Sequence, residues 1–250
     1  MAASGTIIGT SVSGSRLYVD WTQSEINPES YNSKLTYSIS FAKPVYPKGT
    51  CVLNISIGDN TVRKEIPAGS LTSATTKVYS GQIYIPYSNG TATPLFNASL
   101  VCGYGKYPSD PNTYYLTVTA YKTLELDGFE SSYITTSSTT SIEINGTNKL
   151  RIGINKNYTP CRHELTITFG NKTISATDVN TMYEFAPPLE WITEMPDITS
   201  KLGRVTIAAK CNGRTIGNSD YTSIILKVPE NIKPLLTGLT DEKVNGDVPP

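Results

Sequence analysis

Only one histidine occurs in the 250 residues, His163, so a Ser–His or Cys–His nucleophile system would have to be built on it. It stands two residues before Leu165, on the apolar side of an alternating run and close to Pro160, which is the setting of a structural imidazole. A lone imidazole without an acidic cluster is also a poor metal centre. Glu190 and Glu194 have the spacing of one helical face. Paired catalytic carboxylates normally line a cleft, so these two read as a solvated surface. Gly103-Tyr104-Gly105-Lys106 opens like a phosphate loop, but the third glycine and the following helix are missing, and the stretch reads as a turn. No P-loop, nucleophile-elbow or zinc-protease pattern occurs. The expectation is therefore a protein that is not an enzyme, with no catalytic, cofactor-binding or metal-binding residues.

The composition is unusual in tyrosine, with 16 against 5 phenylalanines. Eight of the tyrosines fall between Val78 and Lys122. Alternation there turns Leu116, Val118 and Ala120 inward, hence Tyr115 and Tyr121 outward, and sets Tyr84 against Ile83 and Ile85. An amphipathic ring on a sheet surface suits stacking on a sugar or burial against a neighbouring subunit. Tyr84, Tyr115 and Tyr121 are thus the candidates for glycan or subunit contact, with a half-exposed structural tyrosine as the plain alternative for each.

Lys and Arg number 21, Asp and Glu 21, and charged residues make up only 17% of the chain. Without a basic block, nucleic acid is not an expected partner. The start, Met1-Ala-Ala-Ser-Gly-Thr-Ile-Ile-Gly9, has no basic region before an apolar one, and no apolar run approaches the ~18 residues of a membrane helix. Neither an export signal nor membrane insertion is expected. Cys51, Cys102, Cys161 and Cys211 lack the close pairing of a zinc site, and each shares the parity of apolar neighbours. They are expected to be buried, reduced packing residues.

The elements that position these residues are strands. Apolar residues recur at every second position between Gly, Pro, Asn and Asp punctuation, and no stretch of ten residues has helical periodicity. Leu17, Val19 and Trp21 alternate in one strand; Leu35, Tyr37, Ile39 and Phe41 in the next; Thr50 to Gly58 forms a third, with Asp59-Asn60 as its turn. Lys77 to Tyr87 and Thr93 to Tyr104 flank Asn89-Gly90, the strongest hairpin signal in the chain. Leu150, Ile152 and Ile154, then Leu165, Ile167 and Phe169, predict an antiparallel hairpin across Asn157-Tyr158-Thr159-Pro160. Leu189 to Met195, bracketed by Pro188 and Pro196, predicts one or two helical turns, with Trp191 as a core plug. Asn212-Gly213 predicts a further turn.

The class is all-β. The Ser/Thr-rich stretch from Ser131 to Ser141 suggests two tandem antiparallel β-sandwich domains, Ig-like or jelly-roll-like, over residues 1–122 and 123–228. Residues 229–250 read as an extended linker or assembly arm, in which Ile232, Leu235, Leu236 and Leu239 are too few to enclose a core but enough to dock on one.

The words of the second half also carry a resemblance. Lys149-Leu-Arg-Ile-Gly-Ile154, the polar turn, His163-Glu-Leu-Thr-Ile-Thr-Phe-Gly-Asn171, then Pro187-Pro-Leu-Glu-Trp191, the strand from Gly203 and Thr215-Ile-Gly217 resemble, in that order, the siphophage minor structural (tail) proteins of unknown function from phages of Gram-positive bacteria. The resemblance implies a virion structural protein of a tail, tail tip or surface appendage, assembled in the host bacterial cytoplasm. It would act through other virion subunits as a homo-oligomer, and through contact with the host, whose surface polysaccharide is a candidate partner. No residue role carries over from it. Two rivals remain: a carbohydrate-binding adhesin module using the Tyr-rich sheet, and a glycan hydrolase, whose carboxylates need no local motif.

Overall fold

The computed structural model describes residues 3–42, 45–71, 74–88, 90–196 and 198–230. Asn89 and the arm residues Ile232, Leu235, Leu236 and Leu239 lie outside them. Sixteen strands follow in order: β1 Ser4–Ile8, β2 Arg16–Asn27, β3 Asn32–Ala42, β4 Tyr46–Ile57, β5 Asn60–Pro67, β6 Thr75–Pro86, β7 Leu95–Gly105, β8 Tyr114–Thr123, β9 Tyr133–Ile134, β10 Ser141–Glu143, β11 Leu150–Asn155, β12 Arg162–Phe169, β13 Lys172–Val179, β14 Met182–Phe185, β15 Ser200–Cys211 and β16 Arg214–Lys227. The class is all-β, as alternation requires; among the described residues the helical content is two short 3₁₀ segments, and no helix is long and apolar enough to cross a membrane. The chain divides into two compact units. One holds the described residues through Ser131 with Tyr158–Cys161 and Lys210–Asn218; the other holds the described residues of 132–157 and 162–209 and those from Ser219 to Glu230.

The first unit contains two four-stranded antiparallel sheets, ordered β1-β2-β3-β6 and β5-β4-β7-β8. Their inner faces are the apolar parities of the sequence: Leu17, Val19, Leu35, Ile39 and Phe41 in one, Leu53, Ile55, Phe96, Leu100 and Val118 in the other, all buried. They meet where Tyr37 of β3 packs edge-on to Phe96 of β7 at 5.3 Å. Burial, with Tyr79 beside it, pushes the Tyr37 phenol up to about 12. At Gly9 the chain runs against the carbonyl of Thr119 on β8, where a Cβ would collide, and Thr10 N–H donates to that carbonyl at 2.9 Å.

The segment after Lys122 belongs to this unit. Leu124, Leu126 and Phe129 are buried, and Phe129 lies among the rings of Tyr31, Tyr87 and Tyr158 at 4.9, 4.6 and 6.1 Å. A buried amide fixes the segment: Gln23 Nε2 donates to Tyr87 Oη (2.7 Å) and to the Asp127 carbonyl (3.0 Å), while Gln23 Oε1 accepts from Asp127 N–H (2.7 Å). Tyr87 Oη donates to the same carbonyl at 2.5 Å. Every atom of this small network has a partner, which is what makes a carboxamide tolerable at zero exposure.

The second unit is built from a five-stranded sheet, β10-β16-β15-β12-β13, and a three-stranded one, β14-β11-β9. One core gathers Ile152, Leu165, Ile167, Phe169, Val205, Ile207, Ile224 and Leu226. The 3₁₀ segment Leu189–Glu194 inserts Trp191, which stacks on Phe169 (5.7 Å, 10° between planes) and leans on Phe185 (5.4 Å). Asn212 and Gly213, both with positive φ (47° and 77°), make the tight turn from β15 to β16 that their residue types demand.

Several expectations are corrected. β11 and β12 do not form a hairpin: β11 pairs with β14 and β9, whereas β12 pairs with β13 through the Gly170-Asn171 turn. Likewise β6 pairs with β3 and β7 with β4 and β8, so the Asn89-Gly90 signal marks only a local Ser88–Thr91 bridge. In both cases the connection passes from one sheet to another, and alternation, which orients faces, is blind to that difference. The β4–β5 turn is Gly58-Asp59, one residue earlier than expected, because Gly58 supplies the positive φ of 54°. Gly103 to Gly105 is the end of β7 rather than a turn. The sheets are not wholly antiparallel, since β10 pairs with β16 in parallel, Ser141 opposite Ile225; no tight turn joins these distant segments, so nothing imposes the antiparallel sense.

All four cysteines are buried as expected, but they are not all reduced: Cys51 and Cys102 form a disulfide, while Cys161 and Cys211 keep their thiols. Val52 stands opposite Val101, which brings Cys51 and Cys102 face to face on β4 and β7 with their Cα atoms 4.4 Å apart. That is the spacing of a pair not exchanging main-chain hydrogen bonds, within reach of a bridge.

Candidate functional site

His163 is fully buried on β12, with Nδ1 2.9 Å from the Asn180 carbonyl and 3.1 Å from that of Val179. Both neighbours accept, so Nδ1 carries the hydrogen and the ring ties β12 to the end of β13. Glu194 is also structural: its carboxylate accepts from Asn171 N–H at 3.1 Å and holds the Gly170 turn. Glu190 is exposed. Among the described residues no group of three or more His, Cys, Asp or Glu is placed to hold a metal ion.

The tyrosines do not form one cluster. Tyr84, 53% exposed, is on β6 in the first sheet, whereas Tyr115 (78%) and Tyr121 (68%) are on β8 in the other. Residues directly opposite in antiparallel strands share a face, so the register lays out the outer surface of the β5-β4-β7-β8 sheet row by row. Thr61, Ser56, Asn97 and Tyr121 form one row; Arg63, Asn54, Ser99 and Thr119 form the next; Glu65, Val52, Val101 and Thr117 follow. The first two rows contain no aliphatic side chain. They line a trough of 290 Å³ over Asn54, Ser56, Thr61, Arg63, Asn97 and Ser99, to which Ile55 and Val62 of the intervening positions also contribute, with Tyr121 next in the row beyond Asn97. Asn54, Ser56, Thr61, Asn97 and Ser99 make no side-chain hydrogen bond to another described residue. Arg63 Nη2 lies 3.4 Å from Glu65 Oε1, an exposed pair two positions apart on β5.

A second concavity, of 470 Å³, lies at one end of the first unit between the β4–β5 turn and the β6–β7 connection. Ile57, Ile85 and Ala92 contribute its apolar lining, and Asp59, Asn60, Ser88 and Thr93 its polar groups. At the β7–β8 connection, Asp110 accepts from the N–H groups of Lys106 (2.8 Å) and Asn112 (3.0 Å), and Lys48 Nζ donates to the carbonyls of Asp110 and Asn112. The two backbone amides, with Lys48 and Lys106 nearby, hold the Asp110 carboxyl below the usual aspartate range. This loop carries Tyr107, while Lys106 Nζ sits 4.8 Å above the Tyr114 ring.

The trough was only half legible in the sequence. Parity orients Tyr115 and Tyr121, but the polar rows appear only once β4 is known to pair with β7, and a run of Asn and Ser carries no signal of that neighbour. No curated protein matches the chain. The model of the family described as Siphovirus protein of unknown function (DUF859) matches residues 17–248, nearly the whole length, and the chain belongs to that family.

Proposed function

We propose that the protein is a structural component of the siphophage virion, placed in the tail, the tail tip or another surface appendage of a phage of Gram-positive bacteria. It works by assembly and host contact rather than by catalysis. Its two units serve as tandem β-sandwich modules, it assembles with itself and other virion subunits in the host cytoplasm, and the segment after Pro229 serves as the linking arm. The family match over residues 17–248 carries this reading. The burial of the one histidine supports a binding role over an enzymatic one. The adhesin reading is a second one, favoured by the exposed rings of Tyr115 and Tyr121 beside an uncommitted polar face.

Quantitative mass spectrometry of purified particles tests the proposal, with antibody labelling under the electron microscope to place the protein. A fixed copy number and a label on the tail or an appendage are expected. Absence from the particle, or a copy number that varies with washing, would refute the virion role.

A further inference from the structure

We infer that the trough on the outer face of the β5-β4-β7-β8 sheet binds a neutral polysaccharide, with the Tyr121 ring under one sugar and Asn54, Asn97 and Ser99 taking the hydroxyls of its neighbours. The inference rests on the host-contact reading above and names the ligand class and the residues for it.

Four observations converge. Asn54, Ser56, Asn97 and Ser99 spend no side-chain hydrogen bond on any other described residue. A carboxamide offers two donors and a two-lone-pair acceptor, and a hydroxyl one donor and two lone pairs; adjacent sugar hydroxyls, each both donor and acceptor, match that pattern. The charge is balanced, because the one cation, Arg63, faces Glu65 at 3.4 Å, so the trough does not present the free positive field that a phosphate-bearing polymer calls for. The two rows carry no aliphatic side chain, and the trough's aliphatic lining is limited to the buried Ile55 and the half-buried Val62, so it lacks the broad apolar core that a protein partner would need, Tyr121 apart. That ring is 68% exposed on the strand next to Asn97, where its apolar face is open to stacking.

The rows cross four strands, about 14 Å at the usual strand spacing, which suits a chain of sugars rather than a single one. The trough is also rigid. Its lining stands on strands, and the Cys51–Cys102 bridge joins β4 to β7 three residues along from Asn54 and Ser99, so little conformational freedom is lost on binding. Tyr84, on the other sheet, takes no part.

The test uses the full chain and two fractions of the cell wall of the bacterium in which the phage is grown: the neutral, phosphate-free polysaccharide and the phosphate-bearing polymer. Calorimetry should show binding to the neutral fraction. Tyr121→Ala and Asn97→Ala should each weaken it at least tenfold at unchanged melting temperature, while Tyr84→Ala binds as the parent does. In the unsubstituted protein, the amide NMR signals of Asn97 and Ser99 should move on titration, a readout independent of how the variants fold. Preference for the phosphate-bearing fraction, equal binding by the Tyr121 and Asn97 variants, still amide signals, or no binding to either fraction would each overturn the assignment. Presence in the particle without binding sinks this inference alone, whereas binding by a protein absent from the particle sinks the virion reading alone.

Discussion

Replacing Gln23 with leucine should loosen the first unit out of proportion to the size of the change. The side chain is fully buried and makes three hydrogen bonds, two of them to the backbone of Asp127. Leucine is close in volume, so packing changes little. Asp127 N–H loses its acceptor, and because that bond is only partly buried the loss falls at the low end of the roughly 1–3 kcal/mol that an unpaired buried donor costs; the two bonds from Nε2 are each worth about 1 kcal/mol net. Against this, the Asp127 carbonyl keeps Tyr87 Oη at 2.5 Å, and leucine carries no carboxamide to desolvate. The balance is roughly 2–3 kcal/mol, or about 30- to 150-fold in the opening equilibrium. Hydrogen exchange resolved by peptide measures it directly. Peptides covering β2 should exchange faster by that factor, the Asp127 amide should lose its protection, and β12 in the other unit should be unchanged. Acceleration below threefold with Asp127 still protected would refute the account of the network.

Other expectations follow from the same kind of accounting. Trp191→Ala should destabilise the second unit by about 3–5 kcal/mol in urea unfolding, since Phe169 and Phe185 both lose a ring contact; a loss under 1 kcal/mol would mean that the 3₁₀ segment is not part of the core. Thiol titration in denaturant without reductant should find two thiols, those of Cys161 and Cys211, and a count of four would remove the Cys51–Cys102 bridge. The Asp110 carboxyl is held low in the folded state, so its contribution to the loop is complete above the ordinary aspartate range and is lost as pH falls through the depressed folded value. The Lys106 and Asn112 amides should therefore lose exchange protection on acidification, and in Asp110→Asn that pH dependence should vanish; a dependence unaltered by the substitution would contradict the assignment.

Which residues face inward was legible in the sequence, because a period of two fixes it without knowledge of neighbours. Leu150, Ile152 and Ile154 are buried, and Tyr115 and Tyr121 project outward. Trp191 and the Asn212-Gly213 turn could be read for similarly local reasons. What escaped was pairing. Pro160 and Gly90 do mark reversals of direction, but a reversal that crosses to another sheet has the same local chemistry as one that closes a hairpin. The disulfide failed for the same cause: Cys51 and Cys102 are 51 residues apart, with β5 and β6 between them, and only the β4–β7 register makes them neighbours. The trough, assembled from β5, β4, β7 and β8, inherits that difficulty.

The parallel pairing of Ser141–Glu143 with Ile225–Lys227 has a consequence in time. Strand β10 has a place in its sheet only once β16 exists, roughly 80 residues later. At bacterial elongation rates of about 5–20 residues per second, that partner emerges some 4–16 s after β10 has left the ribosome. During the interval Ser141–Glu143 lacks its ladder partner, and Ile142 and Ile144, both buried in the finished unit, lack the β16 part of their core, Ile224 and Leu226. The lifetime of the half-made second unit is therefore set by translation speed rather than by the stability of the finished fold.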